Sequence, residues 1–221
     1  MYYNGPSAAL ASLLVTLTQC EGGLGYPGGA QHPTGAPGAK VFFANSGTEA
    51  NEGALKVARK VGKDRGGPTK TEIVCFQQSF HGRSFGALSV TSNSKYQDPF
   101  APLVPGVRVG ELNQSEGLED LITENTCAVI VEPIQGEGGV HSADVQWMRE
   151  LMGRARDTGA VVIFDEIQVS VSHNSDRIGP VFVGDKGRHS GIFLNRSTSE
   201  MENSACSDPR QTLMLIPGLN C

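Results

Sequence analysis

The sequence predicts an α/β domain built on a mostly parallel sheet with flanking helices. Three short apolar runs, residues 73–76, 128–131 and 161–164, have the composition of buried strands. A helical pattern with Trp147, Leu151 and Ala155 on one stripe separates the last two runs. Strands that alternate with helices are typical of a sheet whose strands run parallel.

Two further helices are predicted in the first third of the chain. Leucines at helical spacing indicate a short helix within residues 1–20, and the glycine- and proline-dense residues 21–39 that follow indicate a loop. After the apolar run 41–43, a second helix is expected to begin near Thr48 and to end by residues 66–68, where Gly-Gly-Pro stands.

Composition indicates a globular protein and gives no sign of a nucleic-acid or membrane-surface partner. Hydrophobic residues make up 38% and charged residues 19% of 221 residues, and the net charge of -5 comes without a lysine- or arginine-rich run. The five cysteines are far apart and contain no CxxC pair, which favours reduced thiols over a disulfide framework or a zinc site. We therefore expect no bound metal.

The candidate functional residues all follow predicted strands, where ligands of parallel sheets bind. Ser46-Gly47-Thr48 stands between a strand and a helix, so free backbone N–H groups could hold a phosphate there. The same residues could also form only a helix N-cap in a tight turn. Neither a P-loop nor a GxGxxG pattern is present, which argues against a nucleotide ligand and a generic nucleotide-binding domain.

Phe80, His81 and Arg83 follow the next strand. An aromatic ring can stack on a flat cofactor and a guanidinium can hold a carboxylate by two bonds, although a core Phe and a surface Arg are the usual outcome for these residues taken alone. We interpret His81 as a structural histidine. Glu132 begins a loop that either shapes a polar pocket or bonds nearby backbone. Asp165 ends a buried strand and needs a cationic or hydrogen-bonding partner, for which a protonated ring nitrogen or a neighbouring arginine would serve.

Four motifs in register resemble those of the class-III aminotransferases. They are FFANSGTEANEGALKVAR, SFHGRSFGALSVTSNSKY, TCAVIVEPIQGEGGV and GAVVIFDEIQ, and the similarity spans residues 2–168. The acetylornithine aminotransferases are the members that the chain resembles most. This resemblance implies a partial large domain of the fold type I class of pyridoxal-phosphate-dependent transferases, the fold of aspartate aminotransferase, and it implies pyridoxal 5'-phosphate as cofactor.

The resemblance also implies roles for eight residues. The phosphate of the cofactor would bind Ser46, Gly47 and Thr48, and Phe80 would stack on its pyridine ring. Asp165 would pair with the ring nitrogen, and Gln168 would lie near the phenolic oxygen. On the substrate side, Arg83 would bind the α-carboxylate of an amino acid and Glu137 would line the pocket.

The implied reaction moves an amino group between N-acetylornithine and 2-oxoglutarate, a step of arginine biosynthesis. The resemblance implies amino-acid and 2-oxo-acid substrates and a homodimer. No nucleic-acid or membrane partner is expected. A eukaryotic member would be expected in the mitochondrial matrix and a bacterial one in the cytoplasm, and residues 1–4 do not read as a targeting segment.

The chain departs from the family pattern after Gln168. The lysine that forms the Schiff base is expected about thirty residues beyond Asp165, but residues 192–195 read Ile-Phe-Leu-Asn and only Lys186 follows Asp165. We therefore expect residues 1–168 to be a truncated cofactor-binding domain without a catalytic lysine, and 169–221 to be an unrelated, disordered tail. The alternatives are an ornithine or other ω-amino-acid aminotransferase, or a non-catalytic product that binds the cofactor or a full-length partner subunit.

Overall fold

A computed structural model describes residues 4–20, 41–168, 180–184, 190–194 and 212–215. Six α-helices are α1 Gly5–Cys20, α2 Gly47–Gly66, α3 Phe85–Val90, α4 Ser94–Gln97, α5 Leu118–Leu121 and α6 Val145–Thr158, and a 3-10 turn covers Asp98–Phe100. The strands of these residues are β1 Val41–Ala44, β2 Glu72–Phe76, β3 Val107–Gly110, β4 Thr126–Val131, β5 Ile134–Gln135, β6 His141–Ser142, β7 Val161–Phe164, β8 Pro180–Gly184, β9 Ser190–Leu194 and β10 Thr212–Leu215.

One large sheet organises the described residues in the order β1-β10-β9-β8-β7-β4-β2-β3. Strands β3, β2, β4 and β7 are parallel, which agrees with the predicted mostly parallel sheet, and β8, β9, β10 and β1 join it antiparallel, while β5 and β6 pair separately. The α/β class is therefore confirmed. Strand β3 was not predicted, because its four residues are only partly apolar and form an edge of the sheet.

Two hydrophobic clusters cover the two faces of the parallel strands, since successive side chains of a strand point to opposite faces. One cluster holds Val74, Phe76, Val129, Val131, Val162 and Phe164 together with Trp147 and Leu151 of helix α6. The other holds Ile73, Cys75, Ala128, Ile130, Val161 and Ile163 together with Ala50, Ala54, Leu55 and Ala58 of helix α2. The sheet is thus buried between helices, which explains the continuous apolar runs in the sequence.

Helices α2 and α6 begin and end close to the predicted residues because both are capped by local sequence. The Ser46 side chain accepts a hydrogen bond from the backbone of Glu49, and Asp144 caps α6 through the N–H groups of Gln146 and Trp147. The left-handed Gly159 ends α6. On α6, Trp147 also packs edge-on against a ring of the sheet, 5.1 Å from the centroid of Phe76.

Two of the five cysteine thiols lie among the described side chains, and the prediction of reduced cysteines stays a prediction. Cys75 and Cys127 are free and buried, and burial raises the pKa of Cys75 to about 12. The side chains of the other three cysteines lie outside the described residues. Among the described helices, none is long and apolar enough to span a membrane, and the described His, Cys, Asp and Glu side chains form no metal-binding group.

Three strands fall within residues 169–221, where the sequence pattern shows no strand–helix alternation. Strand β8 pairs with β7, and β10 pairs with β1. Most of residues 169–221, including Lys186, lies outside the described part of the chain. The boundary at residue 168 and the unrelated tail stay predictions.

Candidate functional site

The loops that follow β2, β4 and β7 meet at one edge of the sheet, because these strands are parallel and neighbouring. Each of these loops carries a buried polar residue: Glu132 and Asp165 directly follow β4 and β7, and His81 lies five residues beyond the end of β2. The first turn of helix α2 reaches the same edge through Thr48 and Asn51. Most of the residues predicted from the sequence are therefore brought together.

Asp165 is the centre of this site. Its side chain is 3% exposed, and its Oδ2 atom accepts hydrogen bonds from Asn51 Nδ2 at 2.8 Å and from His81 Nδ1 at 2.7 Å. The other oxygen, Oδ1, accepts from the backbone N–H of Ile167 at 3.1 Å. A buried carboxylate needs such partners. The sequence predicted a cationic or hydrogen-bonding partner for this carboxylate, and in this structure an amide and an imidazole hydrogen-bond to it.

Asn51 and His81 each keep one polar atom without a partner among the described residues. Asn51 Nδ2 also donates to the backbone carbonyl of His81 at 2.8 Å, which ties helix α2 to the loop after β2. Asn51 Oδ1 and His81 Nε2 are buried without a hydrogen bond. Such orphaned atoms are uncommon and point to a missing polar group. A purely structural role therefore accounts for Nδ1 of His81, which is hydrogen-bonded to Asp165, and not for Nε2.

Sequence reasoning missed Asn51. Its signal was a polar residue on the apolar stripe of helix α2, next to Ala50 and one turn before Ala54 and Leu55. A polar side chain at a position that faces a sheet must have a partner there. That partner, Asp165, lies 114 residues further along the chain, and local pattern alone cannot identify it.

Ser46, Gly47 and Thr48 form the start of helix α2, and both interpretations of this turn have support. Ser46 is the N-cap, while the N–H groups of the first helical residues have no partner within the helix. Thr48 Oγ1 lies 2.7 Å from Ser84 Oγ and accepts from Ser84 N–H at 3.2 Å. Gly82 has a φ of 125°, and a Cβ there would overlap the Thr48 side chain. The turn therefore packs closely on the loop that carries Arg83.

Phe80 and Arg83 share one neighbour, Tyr96, which sequence reasoning missed. The Phe80 and Tyr96 rings stand edge to face with centroids 5.9 Å apart, and Arg83 Cζ lies 4.1 Å from the Tyr96 ring centroid. The Tyr96 hydroxyl lies 3.4 Å from Glu137 Oε1. Arg83 and Glu137 are both exposed at the rim of the site. Gln168 is also exposed, three residues beyond Asp165, and its role stays a prediction.

Glu132 bonds backbone, one of the two alternatives that its sequence context allows. Its Oε2 accepts from the N–H of Phe80 at 3.0 Å, and its side chain is 3% exposed. Burial raises the pKa of Glu132 to about 7, with nearby His81 opposing and Asp165 adding to this rise. Gln135 Nε2 donates to the carbonyl of Gln77 at 2.8 Å, so the loop after β4 is held against the loop after β2.

We expect the Glu132 carboxyl to lower stability as the pH rises. Between its unfolded pKa near 4.5 and its folded pKa near 7, the folded state holds more protons, so stability falls across this window. The loss should be of the order of 3 kcal/mol. Denaturant unfolding at pH 5 and pH 8 should show this loss in the wild type and not in Glu132→Gln.

The exposed Glu116 provides the matched control for this measurement. Glu116→Gln should keep the pH dependence of the wild type, because its side chain is not desolvated on folding. A difference between wild type and Glu132→Gln that is the same at both pH values would contradict the assignment.

Comparison with known proteins identifies a family model that matches residues 31–181, the model of Aminotransferase class-III. The match covers more than half of the chain and extends past Gln168. The mitochondrial acetylornithine aminotransferase of Neurospora crassa is 49% identical over 174 residues, which are 78% of this chain and 35% of that protein. The mitochondrial acetylornithine aminotransferase of Yarrowia lipolytica is 56% identical over 147 residues, 66% of this chain and 34% of that protein.

Solved structures share the fold. The ornithine aminotransferase of Toxoplasma gondii superposes with a TM-score of 0.64 at 25% identity, over 77% of this chain and 37% of that one. The chain thus spans about a third of the length of the curated relatives it matches, 35% and 34% for the two fungal proteins.

Proposed function

Since the chain belongs to the class-III aminotransferase family, we propose that it is the cofactor-binding part of an acetylornithine aminotransferase. The whole protein would transfer an amino group between N-acetylornithine and 2-oxoglutarate in arginine biosynthesis. Pyridoxal 5'-phosphate is the cofactor of this family. The proposed substrate follows from the two fungal relatives, which are named acetylornithine aminotransferases.

The proposal rests on one observation, that helix α2 contributes to two positions of one polar site, one at its N-terminus and one at Asp165. Its N-terminus presents the N–H groups of Gly47 and Thr48, which have no partner within the helix, and its residue Asn51, about one and a half turns from Ser46, donates to Asp165. A phosphate is suited to the first position and a protonated ring nitrogen to the second. A flat phosphorylated pyridine has both groups.

The residues of the chain fit this cofactor. Ser46, Gly47 and Thr48 would hold the phosphate, and Asp165 would keep the ring nitrogen protonated while His81 and Asn51 hold the carboxylate in place. Phe80 would cover one face of the ring, and Gln168 would approach the phenolic oxygen. When bound, pyridoxal phosphate would withdraw electrons through its protonated ring from the substrate carbon that bears the reacting amino group.

The substrate side would use the charged residues at the rim. Arg83 has the planar fork that binds a carboxylate through two parallel hydrogen bonds. Glu137 would line the pocket opposite to it, at the distance set by Tyr96. An amino acid with a free carboxylate would be oriented by these two residues. The whole protein would act as a homodimer.

We further propose that this chain is inactive without a full-length partner. The expected Schiff-base lysine has no counterpart near residue 195, and the one lysine after Asp165 is Lys186. A chain that binds the cofactor without this lysine could serve as a non-catalytic subunit. Because the named fungal relatives are mitochondrial, the mitochondrial matrix is the proposed compartment in a eukaryote, and the cytoplasm in a bacterium.

An ornithine aminotransferase is the second candidate, favoured by the structural similarity to the Toxoplasma gondii enzyme. The two candidates differ in the α-amino group of the substrate, which is acetylated in one and charged in the other. A pocket for ornithine would offer an acidic side chain to that charge. Glu137 is the described residue that could do so.

Binding to the 221-residue chain tests the proposal without requiring a catalytic lysine. Calorimetry would measure the affinity for pyridoxamine 5'-phosphate and for the borohydride-reduced adducts of pyridoxal phosphate with N-acetylornithine and with ornithine. We expect pyridoxamine phosphate to bind, and the N-acetylornithine adduct to bind about tenfold or more tightly than the ornithine adduct. Tighter binding of the ornithine adduct would favour the second candidate.

Borohydride reduction of the chain with pyridoxal phosphate, followed by peptide mass spectrometry, tests the proposed inactivity. We expect no site-selective adduct. A single adduct on Lys186 would mean that this lysine substitutes for the missing one, and the chain would then be expected to have activity of its own. No binding of pyridoxamine phosphate would contradict the proposed cofactor site.

A further inference from the structure

Tyr96 contacts three residues that the proposed function assigns to the cofactor and substrate. The Arg83 guanidinium lies over its ring at 4.1 Å, the Phe80 ring meets it edge to face at 5.9 Å, and its hydroxyl lies 3.4 Å from Glu137 Oε1. No other side chain among the described residues is recorded in contact with all three. Tyr96 is itself only partly buried, so these contacts form at the rim of the site.

The position of Tyr96 is fixed by the short helix α4 on which it lies. Asn93 caps this helix, because its Oδ1 atom accepts from the N–H of Lys95 at 3.1 Å. At the other end, Gln97 Nε2 donates to the carbonyls of Leu88 and Ser89 in helix α3, at 3.0 and 3.2 Å. These contacts are local, so the aromatic ring is held independently of any ligand.

Arg83 needs such a support more than the buried residues do. Its side chain is exposed, and an exposed arginine loses considerable rotamer freedom when it binds a carboxylate. A guanidinium stacked on an aromatic face has already lost part of that freedom, and its edges remain available for two parallel hydrogen bonds. Stacking on Tyr96 therefore leaves the binding edge of Arg83 free.

The hydroxyl of Tyr96 orients the Glu137 carboxylate, as the ring orients the Arg83 guanidinium. At 3.4 Å the hydrogen bond is long and weak, yet it orients the exposed carboxylate toward the same side chain. Arg83 and Glu137 carry opposite charges and would pair with each other if they were free to approach. Because Arg83 contacts the ring face of Tyr96 and Glu137 contacts its hydroxyl, the two charges are held by different parts of one side chain.

We propose that Tyr96 is a positioning residue that holds Arg83 ready for the carboxylate of the substrate and holds Glu137 through its hydroxyl. This inference rests on the proposed function, in which Arg83 takes that carboxylate. The class of substrate it favours is an amino acid whose free carboxylate binds the exposed edge of the Arg83 guanidinium. The cofactor itself does not depend on Tyr96, because Phe80 is also held by its N–H bond to Glu132.

The test compares two ligands on the full chain: pyridoxamine 5'-phosphate, which has no substrate carboxylate, and the reduced adduct of pyridoxal phosphate with N-acetylornithine, which has one. Tyr96→Leu should weaken the adduct about fivefold or more. It should change the affinity for pyridoxamine phosphate less than twofold. Tyr96→Phe keeps the ring and should retain most of the affinity for the adduct.

Two controls separate positioning from a general structural effect. Phe100, an aromatic residue that is 54% exposed in the neighbouring 3-10 turn, provides the matched variant Phe100→Leu, which should leave both affinities unchanged. In an Arg83→Ala background, Tyr96→Leu should have no further effect on the adduct, since a positioning residue acts through the residue it positions. Thermal unfolding of each variant would verify that it folds.

Failure of this inference can be distinguished from failure of the proposed function. If the wild type does not bind pyridoxamine phosphate, the proposed cofactor site is wrong and the role of Tyr96 falls with it. If the wild type binds both ligands but Tyr96→Leu keeps its full affinity for the adduct, or loses equal affinity for both ligands, Tyr96 is not a positioning residue. An additive effect of Tyr96→Leu and Arg83→Ala would also overturn the inference.

Discussion

Asp165→Ala is expected to lower the free energy of unfolding by about 3 kcal/mol and to remove measurable binding of pyridoxamine 5'-phosphate. The carboxylate is buried, and its Oδ2 atom accepts from both Asn51 Nδ2 and His81 Nδ1. Without it, two buried donors lose their common acceptor at the centre of the site. The ring nitrogen of the ligand would lose the anion that keeps it protonated.

Asp165→Asn separates stability from binding. The amide keeps an oxygen that can accept from Asn51 and His81, but its nitrogen would face the N–H of Ile167, which now donates to Oδ1. We expect a smaller loss of stability than for alanine, of the order of 1–2 kcal/mol. Affinity for pyridoxamine phosphate should still fall at least tenfold, because a neutral amide does not stabilise a protonated ring.

Asp157→Ala is the matched control, since Asp157 is exposed on helix α6. Its effect on the free energy of unfolding should stay within about 0.5 kcal/mol, with ligand affinity unchanged. Denaturant unfolding and calorimetry of the three variants would measure both quantities. If Asp165→Asn bound the ligand as tightly as the wild type, the proposed role of Asp165 at the ring nitrogen would be wrong.

Gly62→Ala is expected to destabilise the fold by about 2–3 kcal/mol, although alanine is the better helix former. Gly62 is buried within helix α2 where the helix packs on the sheet. A Cβ at this position would lie 2.5 Å from Cys127 Cβ and 2.8 Å from the carbonyl oxygen of Lys70. The carbonyl is backbone and cannot rotate away, so helix and sheet would have to separate.

Gly153→Ala tests the same substitution in a helix where nothing opposes it. Gly153 lies within helix α6, and a Cβ there would meet no atom within 4 Å. We expect a gain of about 0.5–1 kcal/mol, because alanine loses less backbone freedom on folding. Urea unfolding of both variants gives the comparison. Equal effects of the same sign would mean that helix α2 does not pack on strand β4 as described.

The sequence-based predictions were most accurate where each residue's environment depends on its near neighbours. Helix α2 was predicted to begin near Thr48 and to end by residues 66–68, and it spans Gly47–Gly66. Ser46 as N-cap and the Gly-Gly-Pro sequence act locally, so they can be identified without knowledge of the fold. The parallel strands were identified because burial on both faces requires continuous apolar runs.

Short or weakly apolar elements were missed. Strand β3 and helix α4 have four residues each, too few to show a period, and they form because neighbouring elements offer them hydrogen bonds. Helix α4 carries Tyr96, so the contact with Arg83 was missed together with the helix. Strands β8, β9 and β10 fall where the sequence shows no alternation of strands and helices, so their pairing in the sheet, and not their local pattern, defines them.

The amino-acid sequence by itself determined the α/β class, the family and the cofactor, and it identified most of the candidate site residues, whose roles stay predictions. Only the tertiary structure decided which side chains contact those residues. Asn51 and His81 hydrogen-bond to Asp165, and the Tyr96 ring stacks on Arg83. The physical reason is that the register of parallel strands brings together loops that are far apart in the chain. Capping and burial are short-range effects, whereas the partner of a buried charge is selected by which strands lie side by side.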